Sequence, residues 1–252
     1  MSDIALEFTR IIVGLDRSVP DRTALRFAVE LAKLLRLNLF GLFAQDPRLT
    51  NLAGMPLMRE FRMLERQWRP IEGRSLLGDL ELSASIARKA LDEVARASGI
   101  SHRFEILPAT AREAIASVSS ATDIVMVTEP RVPADQAFQP FSEIVAAAMT
   151  TPASVLIFPN RVARDHGPVL AIAGRSDDPS VTSAAAIASA ANERMEVIIT
   201  TSPASSTLRR VPRRLDERMI VMTRRTSGDL APSSLASDRR VPVLVVATSD
   251  AA

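Results

Sequence analysis

The chain contains no cysteine and no tyrosine, one tryptophan, and only two lysines, Lys33 and Lys89. Without cysteine, disulfides, thiol catalysis and cysteine-ligated metal are excluded. Its two histidines, His102 and His166, are too few for a metal cage and read as surface residues, so no metal partner is expected. No apolar run approaches the ~18 to 20 residues that span a bilayer, so no membrane partner is expected. The opening MSDIALEFTR carries two acids and no hydrophobic signal core, which makes the expected location cytoplasmic.

The scarcity of titrating groups also explains the charge balance. A sequence pI near 9.8 suggests a nucleic-acid partner, but the formal net charge is only +2, from 31 basic and 29 acidic residues. With almost nothing titrating between the histidines and the arginines, a small surplus carries the pI upward. The one basic cluster, LRRVPRRLDERMIVMTRR (Leu208 to Arg225), has seven arginines against Asp216 and Glu217. No aromatic residue interleaves it, so base stacking has no platform. It reads as a solvated face paired with local acids, and no nucleic acid is expected.

What is present is a repeat. RIIVGLD (Arg10–Asp16) is an apolar run of the kind that forms a strand buried on both faces. Ser18 is placed to cap the next helix, with Pro20 in its first turn and Asp21 completing something close to a capping box. Ala24, Leu25, Phe27, Ala28, Leu31, Ala32 and Leu35 follow at helical spacing, and LNLFGLFAQD (Leu37–Asp46) is a second strand. A strand–helix–strand unit of this size implies a parallel pair with a right-handed crossover. A constant offset of 158 residues then lays Arg17-Ser18 on Arg175-Ser176, and LNLF at Leu37 on MEVI at Met195. DIVMVT (Asp123–Thr128) matches RMIVMT (Arg218–Thr223), across a much shorter intervening stretch. Both copies end alike, in PASVLIF and VPVLVVA. The chain is therefore a tandem repeat with a cut-down second copy.

The first copy fills its middle with helical stretches around Met58–Leu64 and Leu80–Ala97, the latter closed by Gly99. HRFEIL, DIVMV and SVLIF supply further strands, with helices at TAREAIASVSSA and SEIVAAAM. The second copy lacks the third strand and its helix. PNRVARDHGP (Pro159–Pro168) is the linker, dividing residues 1–160, a complete unit, from residues 161–252, a truncated one.

Taken together, IIVGLDRSVPDRTALRFAVELAKLLRLNLFGLFAQD, TAREAIASVSSATDIVMV and FSEIVAAAMTTPASVLIF resemble the universal stress protein family over residues 8–160, and more weakly over 168–248. The resemblance implies an α/β fold with a doubly wound, Rossmann-like parallel sheet of strand order 3-2-1-4-5. In tandem form it implies a pseudo-dimer joined through the last strands, Ser154–Phe158 and Val243–Ala247. One branch of that family binds ATP or a related nucleotide through a glycine motif after the fourth strand: Gly, two residues, Gly, nine residues, Gly-Ser. Glycines let main-chain N–H groups approach phosphate with no Cβ in the way, and the next helix N-terminus favours the anion. In VTEPRVPADQAFQPFSE the spacing survives as Thr128, Arg131 and Phe141-Ser142, with every glycine replaced; indeed no glycine occurs between Gly99 and Gly167.

A hydrogen bond to a charged group is worth roughly 1.5–3 kcal/mol. Losing two such approaches costs about 3–6 kcal/mol, some two to four decades of affinity. Phe141 would also set a ring where phosphate oxygens sit. The resemblance assigns Asp16 to the adenosine moiety and the main chain at Ala44 to adenine, while Arg131 has a guanidinium that can reach a phosphate. Each has a plainer reading: Asp16 as a turn acid, Arg131 as a solvent-facing loop residue, Ser142 as the N-cap of its helix. In the second copy Gly174 replaces Asp16 and the loop keeps only Gly228, so no site is expected there.

No phosphate-loop, dinucleotide or nucleophile-elbow motif occurs, and no catalytic constellation, so an enzyme is not expected. The segment MPLMREFRMLERQW (Met55–Trp68) gives a soft apolar face, read as core capping the sheet edge, with Trp68 covering the pocket edge or the domain interface. The expected function is a non-catalytic stress-response protein acting through a protein partner or self-association, with a degenerate nucleotide site and no cofactor. The alternative is an adenine-nucleotide sensor in which Asp16, Ala44, Thr128, Arg131 and Ser142 hold ATP or AMP weakly through a glycine-free loop.

Overall fold

A computed structural model describes residues 8–15, 20–53, 59–62, 66–70, 73–131, 140–200, 216–227 and 231–248. In chain order the first half contains β1 (Arg10–Leu15), α1 (Arg22–Leu35), β2 (Asn38–Ala44), α2 (Pro47–Ala53), β3 (Arg59–Arg62), β4 (Gln67–Pro70) and α3 (Gly73–Ala97). It continues with β5 (His102–Leu107), α4 (Ala111–Val118), β6 (Asp123–Thr128), α5 (Phe141–Met149) and β7 (Ser154–Phe158). The second half contains β8 (Val169–Ala173), α6 (Pro179–Ala191), β9 (Met195–Ile199), β10 (Met219–Thr223), α7 (Arg224–Ser227), α8 (Pro232–Arg239) and β11 (Val243–Val246).

Nine strands form one sheet in the order β5-β2-β1-β6-β7-β11-β10-β8-β9. Pairings within each half are parallel. The first half thus has the expected 3-2-1-4-5 order, and the second repeats it without a third strand among the described residues. The halves join where β7 meets β11 antiparallel, with Leu156 opposite Leu244, as the tandem reading requires. One face carries α1, α3 and α6 over a core that includes Ile11, Leu39, Phe43, Leu91 and Val169; the other carries α4, α5 and α8 over Ile12, Val125, Ile157 and Val243. Strands covered on both faces are apolar throughout, which is why β7, β8, β10 and β11 read as unbroken hydrophobic runs.

Several local expectations are corrected. Asp21, not Ser18, caps α1, its carboxylate accepting from the Thr23 amide at 2.9 Å; Ser18 itself lies outside the described residues. The constant offset holds only for the first strand of each copy. Ile11 pairs with Leu39, but Val169 pairs with Met195, so Leu39 rather than Leu37 corresponds to Met195. The second copy is shorter before its helix, capped by Asp178, and within it, 13 residues against 14.

The Met58–Leu64 stretch is not helical where described. Arg59–Arg62 is a strand that pairs antiparallel with Gln67–Pro70, and α3 starts at Gly73, well before Leu80. Phe61 and Trp68 face each other at 5.3 Å but are 45% and 60% exposed, so this hairpin does not cap the core. Met55, Leu57, Met58, Met63 and Leu64 lie outside the described residues. The arginine cluster is not simply a solvated face either: Arg218 is buried and reaches Glu30 of α1 at 2.6 Å, and Glu217 is buried against Arg239. Gly99 ends α3 with φ 67°, as expected of a C-cap glycine.

Candidate functional site

The candidate site lies at the carboxyl end of β1, β2 and β6, where a doubly wound sheet reverses strand order and leaves a crevice. Asp16, the acid assigned to adenosine, lies outside the described residues. Ala44 ends β2 half-buried beside Leu107 of β5, and the next amide, Gln45, donates to Leu107 O at 2.8 Å. Just beyond, Asp46 takes three hydrogen bonds from the Arg48 side chain, at 2.6 to 3.0 Å. Those bonds hold the Asp46 carboxyl below its usual range against a smaller opposing effect of burial.

Thr128 ends β6 opposite Phe158 of β7. The motif's next residue, Glu129, is committed to the second half: its carboxylate accepts from the Asn160 amide at 3.0 Å and from Ser237 Oγ of α8 at 3.1 Å. Arg131 faces solvent, with its side chain 57% exposed, but it is also paired. Its Nε and Nη2 grip the two Asp21 carboxylate oxygens at 3.0 and 2.9 Å, and Nη2 also reaches Thr23 Oγ1 at 3.3 Å. The pair closes the gap between the loop after β6 and the amino end of α1.

The start of α5 also differs from expectation. Its N-cap is Pro140, with no side-chain capping bond, and Ser142 sits exposed in the first turn rather than capping it. Phe141 is 9% exposed and packs into the core with Val145 and Val127. Its ring is therefore an anchor for α5 and does not occupy a phosphate position.

The structure thus brings Thr128, Arg131 and Ala44 to one end of the sheet, with Ser142 on the neighbouring helix. The residue that sequence reasoning missed is Asp21. It was legible as a helix-start acid, but its partner Arg131 is 110 positions away and nothing local signals the contact. Two open surface depressions among the described residues lie elsewhere. One, of about 210 Å³, is lined by Pro20, Arg22, Ile86, Lys89, Ala90 and Glu93, and the other, of about 200 Å³, lies between α3 and Ile106. Among the described residues there is no cluster of three or more histidine or carboxylate side chains that could hold a metal, and no helix is long and apolar enough to cross a membrane. His102 is a half-buried residue, not a surface one, with Nε2 2.8 Å from Asp92 Oδ1.

No protein-family model and no curated protein matches the sequence. Solved structures do. A universal stress protein from Archaeoglobus fulgidus DSM 4304 superposes with a TM-score of 0.64 at 15% identity, covering 98% of this chain and 99% of that one. A protein of unknown function from Pseudomonas aeruginosa PAO1 gives 0.57 at 15% identity over 97% and 94% of the two chains. A provisionally assigned universal stress protein from Pseudomonas aeruginosa UCBPP-PA14 gives 0.53 at 17% identity over 96% and 94%. The chain therefore has the universal stress protein fold, and the likeness spans both halves. At these identities it is the fold alone that is shared.

Proposed function

We propose that this chain is a non-catalytic, universal-stress-type protein that acts in stress response through protein interaction or self-association. Its nucleotide frame no longer holds polyphosphate. The fold supports the first part, and the Arg131–Asp21 pair carries the second. A phosphate approaching Arg131 meets a guanidinium whose Nε and Nη2 are already given to the Asp21 carboxylate and whose charge is already paired, which weakens its pull on a second anion. It must also approach a helix amino end already occupied by the Asp21 carboxylate, whose charge repels an anion. With Glu129 tied to Asn160 and Ser237, two charged side chains of the loop are spent on holding the structure together.

Titration calorimetry with ATP, ADP and AMP tests this reading. The expected result is a Kd in the millimolar range or weaker for all three, unimproved by Mg²⁺. Binding at low micromolar strength that weakens in Asp16→Ala and Arg131→Ala would establish the nucleotide-sensor alternative instead.

A further inference from the structure

Among the described residues the second half ends its sheet on β9, and that edge is unlike its counterpart in the first half. Leu39 and Phe43 of β2 are 1% and 0% exposed, because α3 lies over them and β5 pairs beyond them. The corresponding residues of β9, Met195 and Ile199, are 38% and 48% exposed, and Val197 between them is 40% exposed. Among the described residues β9 pairs with β8 alone. Among the described residues no third strand and no helix over it follow β9, so its outer edge and its apolar row stand uncovered together.

The main-chain direction along this edge follows from the parallel ladder. Arg194 O accepts from the Val169 amide at 2.9 Å and the Thr200 amide donates to Ala173 O at 2.8 Å, so the even-numbered residues of β9 turn their N–H and C=O groups toward β8. Met195, Val197 and Ile199 therefore direct theirs outward. An outward row of alternate residues is what an added strand needs.

We propose that β9 is a self-association edge, at which two copies of this chain pair antiparallel about a two-fold axis through Val197. In that register Val197 meets its own twin, and Met195 and Ile199 meet each other, each as a hydrogen-bonded pair using only the outward groups. The apolar rows of both copies fall on one face and merge, while Glu196 lies opposite Ile198 and Arg194 opposite Thr200, so no like charges face each other. The contact continues the existing sheet, which already crosses one antiparallel junction at β7–β11. It names the surface for the self-association proposed above and rests on that reading. Its test reads oligomeric state, not nucleotide affinity, so either can fail without the other.

The experiment is sedimentation of the full chain over a concentration series, alongside two single-cysteine variants. Because the chain has no cysteine, any disulfide dimer reports only the introduced residue. Hydrogen-bonded antiparallel partners sit about 5.5 Å apart at Cα, within disulfide reach. Val197→Cys is therefore expected to crosslink on mild oxidation. Ile199→Cys is not, because its twin lies about four residues, some 13 Å, away. Val197→Lys, placing two like charges on the axis, is expected to shift the dimer to monomer at least tenfold in concentration with unchanged circular dichroism and melting. A chain that is monomeric throughout, with no Val197→Cys crosslink, overturns the proposal. So does a dimer that survives Val197→Lys, or equal crosslinking by the two cysteine variants, as a covering partner of other origin would give.

Discussion

Asp123 is fully buried at the amino end of β6, yet it is charged. Burial pushes its carboxyl up, but Arg10 Nε and Nη2, at 2.8 and 2.9 Å, and the Ser120 amide at 2.7 Å outweigh that and hold it below its ordinary value of 3.8. Arg10 itself is raised by the same pair and lies 5.0 Å from the centre of the Phe40 ring. Because the folded-state pKa is depressed, the stability that the pair contributes is complete above the unfolded value. It is lost as pH falls through the folded one, in the range below about pH 4. Asp123→Asn should cost about 3 kcal/mol at pH 7, the low end for a broken buried pair because Arg10 is a third exposed and can be rehydrated. The variant should also lose less stability than the parent on acidification from pH 5 to 3, measured by urea unfolding. Equal acid slopes in the two proteins would show that Asp123 does not carry that dependence. At this same scale the candidate site was half legible. Arg131 could be placed on the loop after β6 by spacing alone, but whether it faced ligand, solvent or carboxylate depended on Asp21, brought near only by the sheet.

Among the elements, strands were the easiest to foresee, because a strand covered on both faces is a short unbroken apolar run whatever its neighbours. The hairpin of β3 and β4 was the hardest. Phe61 and Trp68 sit in sequence at a spacing that suits a helix face as well as a hairpin, and the choice falls to cross-strand pairing of rings that periodicity cannot see. The cap of α1 was misplaced for a related reason, since several polar residues precede the helix and only backbone direction selects among them. Where α3 crosses β2, a glycine records how closely the two elements approach. A Cβ on Gly41 would stand 2.5 Å from Leu91 Cδ2 and 2.9 Å from Phe104 Cδ2, and Leu91 is fully buried with little room to move. Gly41→Ala should cost about 1–3 kcal/mol by overpacking. Gly14→Ala, where the nearest atom is Met126 O at 3.7 Å, should stay within about 0.5 kcal/mol of the parent. Thermal and urea unfolding of both variants measures this, and similar losses in the two would mean that α3 does not press on β2 as described.

For the whole molecule, the point of interest is how the truncated half holds its fold. Among the described residues it contributes four strands to the large sheet where the first half contributes five, yet β8, β10 and β11 are as completely buried as β1 and β6. Away from the β9 edge the first half supports it: α1 packs beside α6, Arg218 is buried against Glu30, and Glu129 bridges the linker at Asn160 to Ser237 of α8. The linker is itself fitted, since a Cβ on Gly167 would stand 2.1 Å from Asp216 O. Separating the halves would expose the apolar residues of β7 and β11 along with the α1–α6 contact, so neither half should open alone while the other stays folded. Native-state hydrogen exchange tests this directly. The amides of Ile12 in β1 and Val221 in β10, both fully buried, should report the same opening free energy. Arg218→Ala should lower both together, by about 1–2 kcal/mol, because the bond it removes spans the halves. Two values more than about 1.4 kcal/mol apart, a tenfold difference in opening, would show two independent units joined by a strand pair. Agreement would make the tandem sheet a single cooperative body, in which the first copy carries part of the second copy's core.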